Sequence, residues 1–245
     1  MLDAHCHLTH PQFDSDAQDV IDAARKKGLK AILCVGTSAA DSEKALSLCA
    51  ANKGFVFPVL GLSPHDAPKA DLAAEMAFLK KHVGEAVAIG EIGLDYHYFK
   101  QPADREKQKA ALFAQLQLAE THGKPVQIHC RDAHEDLYAV LAGFPRLKVV
   151  MHCFYEPEFL QKSLSLNHVI SVPTLRSKKR DKVLREVPLG RVHCETDSPF
   201  LWHGGRNEPA NVVDVYRRLA EAKKLPLEKA EESVDALANR LYNLW

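Results

Sequence analysis

Short apolar runs alternate along this chain with longer stretches in which apolar residues return at every third or fourth position. The short runs fit strands, and the longer stretches fit helices laid over them. The first strand is the run that opens at Leu2 and reaches His5 and His7. Ser15 or Asp16 then caps a helix that uses Ala17, Val20, Ile21 and Ala24 and stops at Gly28. Ala31 to Val35 is the second strand, Thr37 or Ser38 opens a helix ending near Gly54, and Phe55 to Leu60 is the third strand. A helix around Asp71 to His82 precedes a fourth strand, Ala86 to Ile92. The longest helix, Ala103 to His122, is broken by Gly123 and Pro125. The fifth strand, Val126 to His129, leads to a helix from Ala133 to Leu141 and a sixth strand, Leu147 to His152. A helix near Pro157 to Leu166, a seventh strand from Val169 to Pro173, a helix near Lys178 to Val187 and an eighth strand from Arg191 to Thr196 complete the alternation. Two helices close the chain, one from Pro209 and one near Glu228 to Tyr242. Eight strands alternating with helices predict an α/β fold, a single TIM-like (β/α)8 barrel. No proline, glycine or serine tract divides residues 1–245, so one domain is expected.

Such barrels gather their functional groups at the C-terminal ends of the strands. Successive side chains of a strand alternate faces, so His5 and His7 share one face and lie close enough to hold one ion. Alone the pair means little, because 13 histidines in 245 residues give roughly 0.7 His-x-His pairs by chance. Its weight comes from company: Glu91 ends the fourth strand, His129 the fifth, His152 the sixth, and Asp197 follows the eighth. Six groups able to bind metal converge on one mouth, more than one ion requires. Two divalent ions bridged by a carboxylate are the economical arrangement.

Composition narrows the partners. Lys plus Arg equals Asp plus Glu at 32 each, so no global charge draws the chain to nucleic acid or membrane, and any phosphate affinity must be local. No apolar run approaches the ~18 residues of a membrane span, and a cleaved leader would remove His5 and His7 themselves. These features predict a cytoplasmic protein with no membrane partner and no obligate protein partner. The six cysteines form no C-x-x-C pair and no disulfide framework. Cys6, Cys130 and Cys153 each follow a proposed ligand by one residue and Cys194 precedes Glu195, so alternation turns all four away from the ligands, as fillers behind the barrel wall.

The chemistry these groups fit is ester hydrolysis. Phosphodiesters resist attack because the nucleophile must approach an anion and the alkoxide leaves poorly. A site therefore needs metal ions to activate water and offset charge. Asp197 is the expected catalytic base, orienting the water and taking its proton, with Glu91 the other essential carboxylate. Glu195, on the same face as Asp197, and Asp3 are expected behind the ligands. Arg131, Arg206 and, after the third strand, His65 are the candidates for binding phosphate. The basic run Arg176, Lys178, Lys179, Arg180 and Lys182 stands just past the seventh strand, where it could follow a DNA backbone. Tyr96, Tyr98, Phe99 and Trp202 occupy loops of the same face, either to stack on bases or to anchor the loops.

Asp-x-His-x-His at the start, Gly90-Glu91-Ile92-Gly93-Leu94-Asp95-Tyr96, Ile128-His129-Cys130-Arg131-Asp132-Ala133, His152-Cys153-Phe154, Glu195-Thr196-Asp197-Ser198-Pro199 and Arg206-Asn207-Glu208-Pro209 together resemble the TatD family of metal-dependent deoxyribonucleases, from residue 2 to about 243. The resemblance implies an eight-stranded barrel of the amidohydrolase-like group and a 3′–5′ exonuclease acting on DNA, single-stranded or at 3′ ends. It also implies one ion on His5, His7, Glu91 and Asp197, a second on Glu91, His129 and His152, and Mg2+ as the usual metal. The His-rich ligand set by itself suits Zn2+, Mn2+ or Fe2+. Two departures from the family pattern fall at the substrate mouth: Gly61-Leu62-Ser63-Pro64 replaces Gly-x-His-Pro, and Tyr155-Glu156 replaces a smaller turn. Three alternatives remain open at this level. They are an ester hydrolase of the D-aminoacyl-tRNA deacylase kind, a lactonase or amidase on the same scaffold, and a non-catalytic barrel that binds metal or a partner. Cyclic-amide enzymes of the group often bridge their ions with a carboxylated Lys where this chain has Glu91.

Overall fold

Eight parallel strands form one sheet in chain order, each hydrogen-bonded to the next. In the computed structural model, which describes residues 1–245, they are β1 (Leu2–Cys6), β2 (Ala31–Gly36), β3 (Val56–Leu60), β4 (Ala88–Asp95), β5 (Val126–Arg131), β6 (Val149–Met151), β7 (Val169–Val172) and β8 (Val192–Cys194). Helices α1 (Ala17–Lys26), α2 (Ala39–Ala51), α3 (Leu72–His82), α4 (Pro102–Thr121), α5 (His134–Leu141), α6 (Pro157–Ser165) and α7 (Lys178–Glu186) lie between them, and α8 (Val212–Lys223) and α9 (Leu227–Tyr242) follow. The expected barrel is present, with one buried apolar core running through it. Local chemistry places the helix starts: the side chains of Ser38, Asp71 and Ser177 accept the free amides of α2, α3 and α7.

Strand lengths differ from the expectation in a way that matters for the site. β4 and β5 stay paired from Ile92 with Ile128 to Asp95 with Arg131, so both run past the anticipated ends. β6 and β8 are only three residues long. The register between β4 and β5 shifts between Ile89 and Ile92, around Glu91, and the Gly90–Glu91 peptide there is cis. Gly93 has φ +149, and a Cβ at that position would collide with the carbonyl oxygen of His129. The close approach of the two strands beneath the site therefore requires glycine.

The seam between β8 and β1 closes the cylinder by different means. One isolated bridge joins Cys6 and Ser198, formed where Asp197 N donates to His5 O (2.9 Å) and His7 N to Ser198 O (2.8 Å). Below it the Asp3 carboxylate takes the place of a strand ladder, accepting from Thr196 N at 2.8 Å and from the Thr196 hydroxyl. At the base of the wall Tyr216 of α8 binds both backbone groups of Leu2.

Candidate metal centre

His5, His7 and Asp197 meet at the seam. His5 Nε2 and His7 Nε2 are 3.3 Å apart. Asp197 Oδ1 lies 3.3 Å from His7 Nε2 and 3.8 Å from His5 Nε2. Asp197 has a left-handed backbone (φ 55), and the hydrogen bond its N–H donates to His5 O places its carboxylate beside the two imidazoles. Across the mouth, Glu91 rises from β4. Its Oε2 is 3.8 Å from His5 Nε2 and 3.7 Å from His7 Nε2, while its Oε1 is 2.8 Å from His129 Nδ1 and 3.6 Å from His152 Nε2. His152, one residue beyond β6, stacks on His5 with ring centroids 3.7 Å apart. The structure thus brings all six predicted side chains together, and Glu91 stands between two sets of histidines.

The far nitrogen of each of three histidines is held from behind. His5 Nδ1 meets Gln127 Oε1 at 2.8 Å. The Gln127 amide nitrogen donates to Ala4 O and to the Tyr242 hydroxyl, so its oxygen faces His5 and Nδ1 carries the hydrogen. That leaves the Nε2 lone pair of His5 toward Glu91 and Asp197. His152 Nδ1 faces Glu195 Oε1 as a charge pair at 3.0 Å, and that oxygen accepts the Cys153 amide. His129 Nε2 is 3.1 Å from Asp95 Oδ2. Of these partners only Glu195 was singled out in the sequence. The apolar pattern of the fourth strand stops at Ile92 and so does not reveal Asp95, although Asp95 stands an even four residues from Glu91, a spacing that puts both on one face of a regular strand. Asp3 lies behind His5, bonded to its backbone amide at 3.3 Å, but its carboxylate serves the seam.

Charge is dense here. Burial pushes His5 down to about 4, helped by the neighbouring His152 and His7. For His129, burial is outweighed by Asp95 and Glu91, which hold it up at about 9. His152 reaches about 10 against its burial, because Glu195 faces it. Burial would raise Glu91 and Asp197, yet the surrounding histidines keep both below the usual carboxylate range. The carboxylates are therefore ionised and available as donors.

These residues fit divalent metal ions. Donors about 2.1 Å from one ion stand roughly 3.0 to 3.5 Å apart at octahedral to tetrahedral angles, and most of the separations above lie in or just beyond that range. Two donor groups, His5–His7–Asp197 and Glu91–His129–His152, each have their donor atoms within 4.8 Å of one another. Polarised acceptors behind the imidazoles are the usual support for such ligands.

The centre lies on a cavity of about 860 Å³ that is also lined by Ser63, His65, Tyr98, Arg131, Tyr155, Arg180 and Phe200. Arg131 sits over the Tyr98 ring, 4.9 Å from its centroid. His65 reaches the cavity, but its Nε2 is engaged with Asp95 at 3.0 Å. Arg206 is a correction. Its guanidinium is clamped by Asp16 (2.8 and 2.7 Å), Glu208 (2.8 Å) and Gln12 O (2.6 Å) and covers Phe13. These acceptors, from the chain before α1 and from Glu208, occupy both Nη groups, and Arg206 is not among the residues that line the cavity. The cysteine expectation holds for Cys6 and Cys194, both fully buried, and for Cys130, which lies in β5 and packs against the core while also bordering the cavity; it fails for Cys153, which lines the cavity without joining the core. β6 ends at Met151 and Cys153 is left-handed (φ 50), so strand alternation no longer directs it. Tyr96 is an anchor, its hydroxyl donating to Asp136, whereas Tyr98 is 63% exposed at the mouth. Phe200, 45% exposed and edge-on to His7 and His10, was not anticipated. Of the two departures, Ser63 and Tyr155 face the cavity while Glu156 turns away to His134.

A parallel barrel with paired imidazole and carboxylate donors at one rim defines a metal-dependent hydrolase. The chain belongs to the family described as TatD related DNase, whose model matches residues 2–243. It is 33% identical to the 3′-5′ ssDNA/RNA exonuclease TatD of Erwinia tasmaniensis, covering 100% of both chains. It is 30% identical to the deoxyribonuclease TATDN3 of Homo sapiens, covering 99% of this chain and 94% of the other. The crystal structure of YJJV, a TatD homologue from Escherichia coli, superposes with a TM-score of 0.90 at 27% identity, covering 99% of this chain and 98% of the other. These likenesses favour the nuclease over the lactonase, deacylase and non-catalytic alternatives.

Proposed function

We propose that residues 1–245 act as one hydrolase domain that cleaves DNA phosphodiesters from single-stranded 3′ ends, using two divalent ions. The observation that carries this reading is the division of Glu91: Oε2 faces His5 and His7 while Oε1 faces His129 and His152. In it, His5, His7, Glu91 and Asp197 would hold one ion and Glu91, His129 and His152 would hold the other. Bound there, the ions would supply an activated water near neutral pH and offset charge at phosphorus. Asp197, kept ionised by His7 and His152, orients the attacking water and accepts its proton at the carboxylate. Glu195 and Asp95 hold His152 and His129 in place. Arg131 takes a phosphate oxygen, and Tyr98 and Phe200 offer ring faces or edges to unpaired bases. Relatives named as ssDNA/RNA exonucleases support the substrate. Mg2+ is the metal of choice, with Zn2+, Mn2+ and Fe2+ the competitors that an imidazole-rich site admits. No helix is long and apolar enough to cross a membrane, and six unpaired cysteines suit the reducing cytoplasm.

The test is a cleavage screen of single-stranded, duplex and 3′-labelled DNA with each of the four metals, beside an aminoacyl ester. The reading expects shortening of single strands from the 3′ end. Glu91→Ala should lose both activity and metal content, and Asp197→Asn should lose activity by about 10²-fold or more. Full activity of Asp197→Asn with metal bound, or hydrolysis of the aminoacyl ester alone, would overturn it.

A further inference from the structure

The basic run past β7 does not act as a block. Arg176 is paired with Asp181, Lys179 with Glu158 and Lys182 with Glu186. Arg180 has no carboxylate partner. Its Nη2 touches only Cys153 Sγ, at 3.9 Å, and its buried Nε meets no acceptor. The guanidinium lies over the Tyr155 ring, 5.5 Å from the centroid, and lines the central cavity. Cys153 Sγ is in turn within 4.8 Å of donor atoms of His152 and Asp197. One neutral sulfur therefore separates this cation from the metal centre.

A guanidinium whose Nε–H is buried without an acceptor is costly unless something fills it. A sulfur atom is a weak acceptor and offsets little of that cost. An anion entering the cavity would meet a planar donor fork whose tilt is set by an aromatic face, the geometry that suits phosphate oxygens. Tyr155, one of the departures from the family pattern, supplies that face. Ser177 fixes the position from behind, since its hydroxyl accepts the Arg180 amide at 3.2 Å.

We propose that Arg180 forms an anion subsite beside the metal centre and seats a phosphate of the substrate strand. This rests on the nuclease reading only for the source of the phosphate; the subsite itself is an oxyanion site that free phosphate would also occupy. Arg131, over Tyr98 on the β5 side, and Arg180, over Tyr155 on the β7 side, then present two stacked cations to the same cavity.

The experiment compares wild type with Arg180→Gln and Arg180→Lys, all metal-loaded, by calorimetric titration with inorganic phosphate, steady-state cleavage of a single-stranded oligonucleotide and metal analysis. Arg180→Gln should weaken phosphate binding by about tenfold or more and lower kcat/KM by about 10- to 100-fold, mainly through KM. Metal content should match wild type. Arg180→Lys should recover only part of the loss, because a point charge does not replace the fork. Added guanidinium should partly rescue Arg180→Gln, which a merely structural role would not allow. If both variants bind phosphate within threefold of wild type, the subsite is wrong, whatever happens to cleavage. If wild type cleaves no nucleic acid with any metal, the nuclease reading fails, and the phosphate titration still decides Arg180. Should Arg180→Gln prove unfolded by circular dichroism, Arg180→Lys decides: an unchanged phosphate affinity and KM would overturn the fork.

Discussion

Asp95 has no exposed surface at the end of β4, and its carboxylate joins His129 Nε2 at 3.1 Å to His65 Nε2 at 3.0 Å. An anion in that position fixes the tautomer and tilt of His129 and makes its other nitrogen a better donor. Asp95→Asn keeps the volume and loses the charge. It should leave the far-UV circular dichroism unchanged while lowering metal affinity by about 10- to 100-fold, read by competition with a chelator. Unaltered affinity would show that Asp95 only braces the loop through Tyr98 N, which it also accepts at 2.9 Å. At this scale the sequence speaks clearly where residue type carries chemistry. His5, His7, Glu91, His129, His152 and Asp197 are legible because metal-binding residue types recur at successive strand ends on one predicted rim. Arg206 is not, because its partner Asp16 is 190 positions away and a guanidinium looks the same whether it is bound or free. Cys153 departs from the expectation for a different reason: a left-handed residue past a short strand obeys no alternation.

Elements were legible in kind and order, since apolar runs and helical spacing are local signals, and less so in length. The ends of β4 and β5 depend on each other: only their pairing through Asp95 and Arg131 carries both strands beyond the point where the apolar pattern stops. Gly93 is the hinge of that pairing. A methyl group there would overlap the His129 carbonyl in a conformation that side chains rarely adopt. Relief requires β4 and β5 to separate directly under Glu91 and His129. Gly93→Ala should therefore cost about 2 kcal/mol or more of stability in urea unfolding and disturb the centre in whatever fraction folds. Gly84, where nothing lies within 4 Å of an added Cβ, is the control: alanine there should change stability by less than about 1 kcal/mol. Equal behaviour of the two variants would mean that the strands accommodate the methyl group.

The whole cylinder depends on a closure that no local pattern reveals. Between β8 and β1 there is a single bridge, supported by the Asp3 carboxylate on Thr196, where the other strand pairs share longer ladders. The proposed ligands straddle this seam: His5 and His7 come from one side, Asp197 from the other, and Glu91, His129 and His152 from the opposite wall. An ion shared by His5, His7, Glu91 and Asp197 would tie both lips of the seam to β4. Binding to the folded form alone stabilises by RT ln(1 + [L]/Kd), about 2.7 kcal/mol at a hundredfold excess over Kd, and the gain would be felt first where the structure is weakest. Removing metal with a chelator should lower the melting temperature by several degrees. It should also speed amide exchange at His7 and Asp197, whose N–H groups make the seam bonds, more than at Val59 of β3, a strand that carries no proposed ligand. A melting temperature and exchange pattern that ignore the chelator would place the ions elsewhere. Uniform acceleration in all strands would instead show that the metal stabilises the barrel without fastening its seam.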